Sequence, residues 1–396
     1  MDGARVKVGL ERLLTEPAWR KLVEGRRVAI LANPISVDHR FKHVVDLATD
    51  AGWDLVRLFG PEHGIRGEAQ DMESVEQPLD PLTGLPCVSL YGKDEASLRP
   101  RPEHLDGVDA LVIDLQDVGA RYYTFVYTAA WAAQVCAQTG TQVILCDRPN
   151  PLGGEVLEGN LVQEGFRSFV GAWPLPTRHG MTMGELLRCF DKRGDLGGCD
   201  LQVVPMEGWR RSMWYDQTGL AFVQPSPNMP TLDTATVYPG MCLLEGTNLS
   251  EGRGTTRPFE LFGAPWLDAR ALLERLDTYQ IPGCAFRLAT FKPMFQKHAG
   301  QLCKGLQLHV TDRASFRSLT TALILLQETM ALHPDEFAWR TQVYEFVQDR
   351  LAIDLLLGDG LMRQGLYGQM GFEEWEGLLA QSRASFEAER AASLLY

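Results

Sequence analysis

The chain has 396 residues, 45% hydrophobic and 22% charged, a balance ordinary for a folded globular protein and more than one core normally holds, so two domains are expected. Its 38 basic and 51 acidic side chains leave a net charge of −13, which argues against nucleic acid or an anionic membrane held on a broad basic surface. No run is long enough to span a bilayer. The first residues hold no apolar signal core, which reads as a cytoplasmic protein, or as a periplasmic or secreted one if a leader has been trimmed. The 8 cysteines are scattered without Cys-x-x-Cys spacing and read as packed thiols, with no zinc or disulfide framework required.

Val28-Ala-Ile-Leu31 reads as the first strand, followed by Phe41, Val44, Val45, Leu47 and Ala48 at helical spacing. Residues 55–59 form the second strand, and a long polar segment leads to a third at 88–91. A fourth at 110–114, a helix over 124–138 and a fifth strand at 142–146 continue the alternation, with a further strand at 201–204. Such spacing defines β-α units and a mostly parallel sheet, an α/β fold. Residues 224–266 are dense in Pro, Gly, Asn and Thr and show no period, so one long, ordered, functional loop is expected there. A second, smaller α/β region follows, with a helix near 267–276, strands near 285–290 and 305–310, and helices over 315–332 and through the terminal segment. The expected division is 1–237 and 238–396.

Chemistry concentrates where strands end. Open α/β sheets hold ligands beyond the carboxyl ends of their strands. Glu62 and His63 come directly after the second strand, in a turn set by Pro61 and Gly64. Right-handed crossovers bring parallel strand ends to one edge. Glu62 should therefore meet Tyr91 from the third strand, Asp114, Asp117 and Arg121 from the fourth, and Asp147, Arg148 and Asn150 from the fifth. Asn33, Asp147 and Asn150 read as caps and turn formers; Glu62, Asp114 and Asp117 read as catalytic. A glutamate withdrawn from water beside other carboxylates keeps its proton to higher pH and can protonate a leaving oxygen, the central demand of glycoside cleavage. The competing expectation for Glu62 is an ion pair with Arg66.

No metal site is expected. His39 and His43 lack a third ligand nearby, and a divalent cation on Glu62, Asp114 and Asp117 is the lesser reading. No G-x-S-x-G elbow occurs and no G-x-G-x-x-G follows the first strand, which counts against a serine hydrolase of that type and a dinucleotide-dependent oxidoreductase; no cofactor is expected.

Six blocks carry a family resemblance: Gly60-Pro-Glu-His-Gly64, Asp114-Leu-Gln-Asp-Val-Gly-Ala-Arg-Tyr-Tyr123, Arg148-Pro-Asn-Pro-Leu-Gly153, Arg178-His-Gly-Met-Thr182, Gln224-Pro-Ser-Pro-Asn-Met-Pro230 and Glu245-Gly-Thr-Asn-Leu-Ser-Glu-Gly-Arg-Gly-Thr255. They resemble the NamZ-type exo-β-N-acetylmuramidases, which remove terminal N-acetylmuramic acid from the non-reducing ends of peptidoglycan fragments. The resemblance implies a Rossmann-like domain joined to a smaller auxiliary domain, an active site in the cleft between them, and Glu62 as the catalytic residue. His63, Arg121, Tyr123, His179, Asn228, Glu245 and Arg253 are expected to contact a peptidoglycan-derived saccharide. Residues 67–73 depart from the family's usual form, which bears on the pocket rim.

On this reading Glu62 protonates the glycosidic oxygen. The second role is left among the substrate's own acetamido group, oriented by Asp114 or Asp117, one of those aspartates activating water, and Glu245 or Glu251, the last expected to be solvated. The lactyl carboxylate of muramic acid calls for a planar cation, Arg121, Arg253 or Arg257, with an Asp117 pair as the structural alternative for Arg121. Tyr91, Tyr123 and Trp173 are expected as a stacking wall. A non-catalytic cell-wall sugar-binding protein and a metal-dependent hydrolase are the rival readings.

Overall fold

A computed structural model describes residues 5–67 and 79–396. Six strands, β1 (Arg27–Ala32), β2 (Asp54–Gly60), β3 (Cys87–Ser89), β4 (Ala110–Asp114), β5 (Gln142–Cys146) and β6 (Leu201–Val204), pair in parallel in the order β3-β2-β1-β4-β5-β6. That is the doubly wound order, with a crevice where it reverses between β1 and β4. β4 is buried throughout and β1 beyond its first residue, as parallel strands covered on both faces must be. Val28, Ile30 and Ala32 pack on one side with Leu10, Leu13 and Val44, while Ala29 and Leu31 face the larger core on the other.

That larger core continues without a break into the second half, through Leu243, Phe262, Leu323 and Leu356. There β7 (Leu261–Ala264), β8 (Cys284–Phe291) and β9 (Cys303–Val310) form an antiparallel sheet in the order β7-β9-β8. Helices Ser318–Leu332, Ala352–Leu357 and Phe372–Ser393 complete this half. Among the described residues, no helix is long and apolar enough to cross a membrane.

The segment expected as one long loop contains a helix, Leu232–Met241, as well as β7. Thr231 caps it, its hydroxyl accepting from Thr234 N at 3.2 Å. Every residue from 234 to 241 is buried, so no polar face exists to give the sequence a helical period. Pro239 lies inside it, and Gly240 sits against the Ser318 carbonyl, where a Cβ would come within 1.9 Å. The expected division at 237–238 falls within this helix. Beyond Gly67, the segment expected to shape the pocket rim lies outside the described residues up to residue 78.

Candidate active site

β2 delivers Glu62. Gly60 is required because a Cβ there would meet Ile65 N at 2.7 Å. After Pro61 the chain turns back through left-handed His63 and Gly64, φ 71° and 85°, with Gly64 N donating to Pro61 O at 2.9 Å. Glu62 is thereby held inside the protein, 5% exposed. Its Oε2 accepts from Thr124 Oγ1 at 2.8 Å, at the start of helix Phe125–Thr139. Arg66 instead grips Asp80, at 3.0 and 3.1 Å.

Glu62, His63, Tyr123 and Thr124 line one side of a narrow cavity of about 40 Å³. The second half contributes Glu245, Arg253, Tyr344 and Glu345, and the connecting region Asn228. Glu245 accepts from Arg253 at one oxygen and from the Tyr344 hydroxyl at the other, 2.7 Å away. Arg253 is projected from between Gly252 and Gly254, both left-handed at φ 79° and 78°. Behind it stands Glu251, 3.5 Å from Arg253 and 2.8 Å from Lys297. Burial alone would push the Glu251 carboxyl up, but Lys297 and Arg253 outweigh it and hold it below the ordinary carboxylate range. Glu251 is buried, not solvated as expected. Glu345 accepts from the Tyr91 hydroxyl at 3.3 Å.

Burial raises the hydroxyls of all four tyrosines lining this cavity, Tyr122, Tyr123, Tyr238 and Tyr344, so they stay protonated. Burial raises the Tyr344 hydroxyl well above its usual range, and neighbouring Glu245 adds to the effect. Burial does the same for Tyr123, against an opposing contribution from Ser226. The Tyr123 hydroxyl lies beside Ser226 but makes no well-aligned hydrogen bond among the described residues.

The other expected residues fall elsewhere. Asp114 is absent from the cavity lining: fully buried, it receives Arg148 Nε at 2.6 Å and Nη2 at 2.7 Å, and a structural ion pair replaces the catalytic position expected for it. Asp117 also lies off the lining, accepting from Gly119 N at 2.7 Å and facing His179 Nε2 at 3.4 Å. His179 is buried with it, its Nδ1 accepting from Met181 N at 3.3 Å. Arg121 is neither a sugar ligand nor a partner of Asp117. It is fully buried and donates to the carbonyls of Asn160 at 2.7 Å, Leu175 at 2.9 Å and Leu356 at 2.7 Å, pinning the two halves together. Arg257 pairs with Glu260 at 3.3 Å, and Trp173 stacks on Phe190 in the core, ring centroids 4.8 Å apart. His39 and His43 part company, His39 bonding Glu11 at 2.8 Å and His43 reaching Asn33 O at 3.1 Å.

Thr124, Tyr344 and Glu345 were not anticipated. Thr124 directly follows one of the landmark blocks, a signal that was available. Val343-Tyr-Glu-Phe346 matches no motif, and only folding brings it to Glu245.

A doubly wound sheet that buries a glutamate at the end of β2, facing carboxylates from an antiparallel second half, defines a two-part α/β enzyme equipped for proton transfer. The chain belongs to the NamZ exo-β-N-acetylmuramidase family: the family's N-terminal model matches residues 28–233 and its C-terminal model residues 236–396. It is 42% identical over 393 residues to the peptidoglycan β-N-acetylmuramidase NamZ of Bacillus subtilis (strain 168), covering 99% of this chain and 92% of that one. Two DUF1343 family proteins of Bacteroides fragilis NCTC 9343 share the fold, each match covering 99% of both chains. One has a TM-score of 0.87 at 33% identity, the other 0.77 at 26%.

Proposed function

We propose that this protein is an exo-acting glycoside hydrolase that releases terminal N-acetylmuramic acid from the non-reducing ends of peptidoglycan fragments. The observation that carries the mechanism is Glu62, buried, fixed by Thr124 and facing Glu245 and Glu345 across one cavity. Three carboxylates share one cavity with one guanidinium, and crowding of like charges out of water favours a carboxyl that keeps its proton. Glu62 gives that proton to the glycosidic oxygen as the C1–O bond breaks. Glu245, kept as an acceptor by Arg253 and Tyr344, is the opposing carboxylate: it takes a proton from the water that adds to C1. Arg253 is the one arginine lining the cavity among the described residues, and it reads the lactyl carboxylate.

The present cavity has room for about three waters. The deciding experiment incubates the protein and Glu62→Gln with muramic-terminated peptidoglycan fragments and quantifies free N-acetylmuramic acid. Release by the wild type, and a fall of at least about a hundredfold in the variant at unchanged fold, is expected. Comparable release by both would remove Glu62 from the acid role.

A further inference from the structure

A second concavity adjoins the first. Glu245 lies in the cavity; two residues on, Thr247 and Asn248 line an open groove of about 760 Å³. The facing segment makes the same passage in reverse, with Trp339, Arg340, Thr341 and Gln342 in the groove and Tyr344 in the cavity. The two segments are zipped together. Arg340 N donates to Gly246 O at 2.8 Å, Asn248 N to Ala338 O at 2.9 Å, and Thr247 bridges Trp339. A paired backbone thus runs from the end of the 3-10 turn Cys242–Gly246, which carries Glu245, into the groove.

The chemistry changes along that path. Three carboxylates line the cavity; among the described residues none lines the groove, although the chain carries a net charge of −13. Two basic residues at its edge are turned to internal work: Lys297 holds the carbonyls of Leu244 and Leu249, and His298 bonds Asn248 O at 2.7 Å. The half-buried Trp339 indole, packed edge-to-face with Phe337 and bonded to the Tyr367 hydroxyl at 3.2 Å, the Arg340 guanidinium stacked 5.1 Å over the Tyr344 ring, and the exposed Thr341 and Gln342 line it with an aromatic ring, a cation, a hydroxyl and an amide. Sugars stack their apolar faces on such rings, acetamido groups bond amides, and lactyl or peptide carboxylates meet the guanidinium.

We propose that this groove binds the remainder of the glycan strand, on the reducing side of the bond being cut, with Trp339 as the stacking platform. The inference rests on the muramidase reading above. It makes the enzyme a reader of chain length, which a site holding the terminal sugar alone would not be.

The test compares kcat/KM on a chromogenic N-acetylmuramic acid glycoside with that on a tetrasaccharide bearing the same terminal sugar. The wild type should favour the tetrasaccharide by at least about tenfold. Trp339→Ala should erase that preference while keeping glycoside turnover within about twofold. Thr341→Trp, which fills the groove from an exposed position, should do the same without removing a packed ring. Unchanged tetrasaccharide turnover in both variants, or equal loss on both substrates in Thr341→Trp, overturns the proposal. Wild-type glycoside turnover with no chain-length preference overturns it alone. A wild type inert on every muramic substrate overturns the underlying reading as well.

Discussion

Thr124 Oγ1 donates to Glu62 Oε2 at 2.8 Å, which ties the turn after β2 to the first turn of the central helix Phe125–Thr139. The contact fixes the direction of a carboxyl that must meet a leaving oxygen within a few tenths of an ångström. Thr124→Val keeps the shape and loses the donor. We expect kcat to fall by about tenfold with KM nearly unchanged, and Thr124→Ser to restore most of it. A Val variant with wild-type kcat would show that packing alone orients Glu62.

Arg253 touches Glu245 and stands 3.5 Å from Glu251, so its loss will disturb more than one group. The informative quantity is a ratio between substrates. A charge-assisted hydrogen bond contributes about 1.5–3 kcal/mol, so Arg253→Ala should cost muramic substrates roughly ten- to a hundredfold more kcat/KM than a glucosaminide lacking the lactyl group. Arg253→Lys should recover little, since an ammonium lacks the planar fork. Equal loss on both substrates would confine Arg253 to holding Glu245 in place.

The buried pair of Asp114 and Arg148 predicts a stability defect where a catalytic defect was expected. Asp114→Asn leaves an arginine, 4% exposed, without its counter-ion. Breaking such a pair from one side costs about 3–5 kcal/mol. Denaturant unfolding should report that loss, while the folded fraction keeps a kcat within a few-fold of normal. Unchanged stability with turnover down a hundredfold would return Asp114 to the reaction.

The first half was legible because each parallel strand is a short buried run followed by a polar turn, and the turn after β2 announces itself through Pro61 and Gly64. Strand-end position alone groups Asp114, Asp117 and Glu62, because chain order does not show which neighbouring strand each side chain meets. Strand ends share an edge, but Asp114 lies beside β5, and Arg148, two residues beyond that strand, consumes it. The helix Leu232–Met241 left no periodic trace because it is buried nearly all round. Glu245 was legible within its block, whereas Tyr344 and Glu345 reach the cavity only through the packing of the second half on the first.

His43 offers a pH test of the fold that is independent of catalysis. Its ring is buried, accepts from Val45 N at the start of helix Val44–Asp50, and reaches Asn33 O at 3.1 Å. Burial, with nearby Arg66 adding to it, lowers its pKa from 6.5 to about 4, against the opposing hydrogen bond to Asn33. In the unfolded chain the imidazole titrates near 6.5. Between those values the unfolded state binds the extra proton, so stability is fully present above pH 6.5 and drains away as pH falls toward 4. The loss from this one group amounts to about 2.5 kcal/mol by pH 4.5. His43→Gln retains a donor for Asn33 but cannot titrate there. Denaturant midpoints at pH 7.5 and 4.5 should therefore show the wild type losing about that much more than the variant across the interval. Parallel losses in the two proteins would mean that His43 protonates in the folded state as readily as in the unfolded one.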